Sequence, residues 1–196
     1  MDYFVEDKKI VDPMVLADMK LAADTPTDVI LFNIDSKSET NGKQNKDAIV
    51  NVFLKVFNQM QGFCGSIPHV ADLERRLSEE GRYDEFKAAF EGEYGEPWED
   101  SRQDFDFIQD SVVDALVSMD FMSKSAARNW CEKAVEPYTI SIEDFAKRVK
   151  AYIDRKGNNH HVVFLVDEIG QYIGDDSKLM LNLQTVTEEL GKECMG

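Results

Sequence analysis

Along most of the chain, apolar residues recur at three- and four-residue intervals, the rhythm of one helix face. Two segments break it. Asp28–Asp35, DVILFNID, and His160–Gly170, HHVVFLVDEIG, carry apolar, partly β-branched runs bounded by polar residues, the pattern of strands buried on both faces of a parallel sheet. Around them the spacing predicts helices. Asp12-Pro13 reads as a cap with proline at the first helical position and opens a helix to about Ala23 that stops before Pro26. From Lys46, the residues Ile49, Val52, Phe53, Val56, Phe57 and Met60 share one face, and Gly62 and Gly65 end the helix. Further helices are predicted at Val70–Glu80, with Val70, Leu73 and Leu77 inward, and at Tyr83–Glu91. Gly92–Asp100 reads as a loop, with Trp98 packed back onto a helical core.

Ser101 and Asp104 form a weak capping box for a helix reaching about Met119. A short helix follows at Ser125–Ala134. Ser141 and Asp144 repeat the capping pattern before a helix with Phe145, Val149, Tyr152 and Ile153 on one face, closed by Gly157-Asn158-Asn159. After the second strand, centred on Val162–Val166, Ile169–Asp176 reads as a loop and Ser177–Leu190 as a last helix stopped by Gly191. The polar stretch Ser36–Gln44 holds a turn at Asn41-Gly42.

A parallel strand pair needs only a dozen or so connecting residues. Here the connection runs from Ser36 to His161. The excess predicts a helical subdomain inserted between neighbouring strands of an α/β core. Residues 1–44 and 157–196 are expected to form the core, and residues 45–156 the helix-dominated insertion. Two strands alone do not make a stable sheet, so the chain is expected to be an internal piece of a larger nucleotide-binding domain.

The composition, 43% hydrophobic and 31% charged over 196 residues, is that of a folded globular chain. A formal net charge of −16 disfavours phosphate-backbone contacts by this segment and fits a solvated acidic face. The cysteines, Cys64, Cys131 and Cys194, are few, odd in number and without a C-x-x-C pair, which predicts reduced thiols and a cytoplasmic setting. His160 and His161 are adjacent, so on a strand they point to opposite faces and chelate one ion poorly. No apolar run has the length of a membrane span, and MDYFVEDKK has neither the basic nor the apolar region of a secretory signal.

Candidate chemistry sits at the end of the second strand. Asp167 and Glu168 follow its apolar run, where open α/β sheets bind ligands. An apolar strand ending in Asp-Glu has the form of a Walker B motif. The first acid holds Mg²⁺, directly or through water, and the second polarises the water that attacks the γ-phosphate. The bland alternative is a buried strand ending at a charged turn. The partner motif, G-x-x-x-x-G-K-[ST], is absent from the 196 residues; the nearest glycine cluster, Gly62-Phe63-Cys64-Gly65-Ser66, lacks the lysine and follows a helix.

The stretch VVFLVDEIGQYIGDDSKLMLNLQTVTEELG, Val162–Gly191, closely resembles the P-loop ATPase of BREX phage-defence systems (BrxC/PglY type). DVILFNIDSK at Asp28–Lys37 and MSKSAARNW at Met122–Trp130 resemble the same family. The resemblance implies a partial P-loop NTPase core of the ASCE/AAA-like class with few parallel strands and a large helical insertion, its Walker A loop lying outside this sequence. It implies Asp167 as the Mg²⁺ carboxylate and Glu168 as catalytic base. ATP and Mg²⁺ are then cofactors of the full-length protein, with none expected on the isolated piece, and the partners are other phage-defence components or further copies of the ATPase domain. Asp35, Ser36 and Lys37 end the first strand and either face the same ligand edge or form a solvated strand end. Gln171 and Tyr172 either line an interface or pack as an ordinary loop.

Two other readings stay open. One is a non-catalytic interaction module presenting Phe53, Phe57, Phe86, Phe90, Trp98, Phe105 and Trp130, which at helical spacing also suit a core. The other is an acidic mimic of DNA charge.

Overall fold

A computed structural model describes residues 10–34, 48–157 and 159–194. The polar cluster Asp35-Ser36-Lys37, the Asn41-Gly42 turn, the helix start at Lys46 and Asn158 lie outside the described residues. The architecture is helix-dominated α/β, and the described strands form one parallel pair. The chain divides into two compact units, Met1–Lys46 with Ser141–Gly196, and Asp47–Ile140.

The first unit begins with α1, Pro13–Asp24. Asp12 caps it, its Oδ1 accepting from the N–H groups of Met14 (2.9 Å) and Val15 (3.3 Å). Thr25-Pro26 ends the helix, and β1, Thr27–Asn33, follows at once. β1 pairs in parallel with β2, His161–Asp167, in a register running from Thr27 opposite His161 to Asn33 opposite Asp167. α8, Ile142–Lys156, precedes β2 and is capped by Ser141, whose Oγ accepts from the N–H of Asp144 at 3.0 Å. Phe145 of α8 meets Phe164 of β2 with ring centroids 6.4 Å apart. The last helix, α10, Ser177–Cys194, packs along α8, with the Cys194 thiol 3.9 Å from the carbonyl of Ala146.

One face of the strand pair is therefore covered: Ile30 and Phe32 are buried, and Val162, Phe164 and Val166 are half-buried. The other face departs from expectation. Continuous apolar runs predict cover on both sides, yet Val29 (56%), Leu31 (73%), Val163 (37%) and Leu165 (46%) stand exposed in two cross-strand pairs. Among the described residues these four side chains stay open, and the burial of β2 alternates residue by residue.

The second unit is helical. It contains α2, Ala48–Met60; α3, Pro68–Glu79; α4, Tyr83–Tyr94; the short α5, Trp98–Ser101; α6, Phe105–Ser118; and α7, Lys124–Ala134. Its core gathers the inward stripes of α3, α4, α6 and α7 around Trp98, which meets Phe86 and Phe90 edge-on at 5.0 Å each. The fully buried carboxylate of Glu74 lies in this unit. It accepts from the backbone N–H of Cys64 (2.5 Å), Tyr83 Oη (2.8 Å), Trp98 Nε1 (2.8 Å) and Arg102 Nη1 (2.7 Å).

Several boundaries differ from the sequence reading, each for a local reason. The expected insertion 45–156 ends at Ile140, because α8 packs on the strands and groups with them. The expected loop Gly92–Asp100 is largely helical: α4 runs through Gly92 to Tyr94, where Gly95 takes a left-handed cap (φ 91°), and α5 opens at Trp98. Ser101 does not cap α6; its hydroxyl donates back to the carbonyl of Pro97 at 3.0 Å, and a 3₁₀ turn, Arg102–Asp104, intervenes. Ser123, not Ser125, opens α7. Gly191 does not stop α10, which continues to Cys194.

Candidate active site at the carboxyl edge of the strands

Asp167 is the last residue of β2, and Glu168 is the first beyond it. Both are exposed at the carboxyl edge of the parallel pair, the edge where α/β sheets place ligands. The backbone turns sharply here. Glu168 adopts φ 59°, ψ 20°, a left-handed conformation that costs a residue with a Cβ about 1 kcal/mol or more. The turn starts α9, Ile169–Ile173, in place of the expected loop. The N–H groups of Gln171 and Tyr172 donate to the Glu168 carbonyl at 3.1 and 3.0 Å, fastening α9 to the strand end. Gln171 faces solvent and Tyr172 is buried, so of the two only Gln171 remains accessible.

A third residue joins the pair. Asn33 ends β1 directly opposite Asp167, and its side-chain amide donates to Glu168 Oε2. Sequence reading missed this residue, which stands 135 positions away from Glu168. The sequence shows only a lone polar residue, Asn33, between Phe32 and Ile34 of an apolar run; what it faces follows from the strand pairing. The Glu168 N–H donates to Asp167 Oδ1 at 2.9 Å. The second oxygen of Asp167 accepts nothing from the described residues. The edge thus holds one carboxylate tied to a neighbouring amide and another with an open oxygen.

This donor set suits a hard cation that keeps most of its own waters. Mg²⁺ is commonly held by one or two carboxylates together with phosphate oxygens. Asp167 would hold it, and the ion would supply charge neutralisation for a phosphate group. Among the described residues no cluster of three or more His, Cys, Asp or Glu side chains is arranged around a metal position, so nothing here resembles an all-protein cage.

The opposite edge carries a second polar cluster with a different role. Asp28 Oδ2 accepts from Tyr152 Oη at 2.5 Å and lies 2.7 Å from His160 Nε2. The Tyr152 hydrogen bond, then His160, hold the Asp28 carboxyl below its ordinary range. Burial and the Asp28 contact push the Tyr152 phenol up, so it stays a donor. The cluster ties α8 to the amino ends of both strands, about 16 Å of strand away from Asn33. His160 points inward to Asp28 while His161 is exposed, as expected for adjacent residues entering a strand.

No protein-family model matches the chain, and no solved structure does. Among the described residues no helix is long and apolar enough to cross a membrane.

Proposed function

We propose that this chain is the Walker B half of a P-loop ATPase domain, of the ASCE/AAA-like class and the BREX phage-defence type that the sequence resembles. The observation that carries the reading is the carboxyl edge. Two successive acids leave a parallel strand there, one with an open oxygen and the other bonded to the facing strand's Asn33. In this reading Asp167 holds Mg²⁺. Glu168 accepts a proton from the water that attacks the γ-phosphate, and Asn33 holds the Glu168 carboxylate in position. The grip on the triphosphate comes from a glycine-rich lysine loop that the 196 residues lack. The isolated chain is therefore inactive, and turnover belongs to the full-length protein in a cytoplasmic defence complex, with other defence components or further ATPase copies as partners.

The interaction-module reading loses its motive in the helical unit. Phe53, Phe57, Phe86, Phe90, Trp98 and Phe105 are buried and Trp130 is half-buried, so these rings are not a display surface.

The test is Glu168→Gln in the full-length protein. ATP turnover should fall by about a hundredfold or more while nucleotide stays bound. Asp167→Asn should instead weaken Mg²⁺-dependent nucleotide binding. Unchanged turnover in Glu168→Gln removes Glu168 as the base.

A further inference from the structure

We draw no further inference here: the strongest candidate, the exposed face of the strand pair formed by Val29, Leu31, Val163 and Leu165, is an unpartnered apolar face, and nothing in the structure shows what covers it.

Discussion

Removing the Glu74 carboxylate is expected to remove a large share of the helical unit's stability. Glu74 is fully buried and satisfies four donors at once: the Cys64 N–H, the Tyr83 hydroxyl, the Trp98 indole N–H and the Arg102 guanidinium. Arg102 is itself largely buried, with 15% of its side chain exposed. Burial, and then the Glu74 charge, push the Tyr83 phenol far above its usual range, so it offers a proton at any ordinary pH. Glu74→Ala strands all four donors. Breaking a buried ion pair by removing one partner costs about 3–5 kcal/mol, and each neutral donor left without an acceptor adds about 1 kcal/mol or more. These costs overlap, because water entering the cavity re-satisfies some of the donors. The expected loss is about 4 kcal/mol, a large share of the 5–15 kcal/mol typical of a domain. Glu74→Gln keeps the shape but turns a donor toward donors, and should cost about 2–3 kcal/mol.

Urea unfolding followed by tryptophan fluorescence reads this directly, since Trp98 is one of the partners. A double-mutant cycle with Arg102→Met separates the ion pair from the neutral bonds: the alanine cost should shrink once the guanidinium is gone. A loss below about 1 kcal/mol for Glu74→Ala would refute the argument that this carboxylate organises the unit.

The remaining expectations concern the strand-bearing unit. Asp28 is held below its ordinary value of 3.8 by Tyr152 and His160, so its contribution is present above that value and disappears as pH falls through the lower folded one. Asp28→Asn should therefore be less stable than the unsubstituted chain near neutrality and converge with it in acid; curves that stay parallel down to the acid limit would count against the cluster. Glu168→Gly relieves the left-handed backbone, whereas Glu168→Ala keeps the strain. The glycine variant should be the more stable of the two by about 1 kcal/mol in denaturant melts, although both lack the carboxylate. Equal midpoints would show that the φ of 59° stores nothing.

Local chemistry was legible in the sequence wherever a short-range rule decided the outcome. Asp12 and Ser141 cap the helices they were expected to cap. The two apolar runs are strands, and Asp167 does close the second. What escaped needed either long-range register or a backbone state. Asn33 matters because parallel pairing sets it opposite Asp167, a fact no local window contains. The helix after Glu168 was hidden by Gly170 and Gly174, which read as loop signals, and by a left-handed turn at a residue with a side chain. Glu74 did leave a trace. It stands four residues from Val70 and three from Leu77, on the inward stripe of α3, where a charge is out of place unless it is fully partnered. The bare sheet face was invisible because a run that is apolar on both sides says that cover is needed, not where it comes from.

The parallel pairing also sets an order of events. Thr27 must find His161, and Asn33 must find Asp167, across more than 130 intervening residues. Closing so long a loop is slow, because the entropy of the open chain is lost before any ladder bond repays it. The helices between them assemble from neighbours close in sequence. In refolding kinetics the helical signal should therefore precede protection of the strand amides, and the rim formed by Asn33, Asp167 and Glu168 comes into being only in the last step.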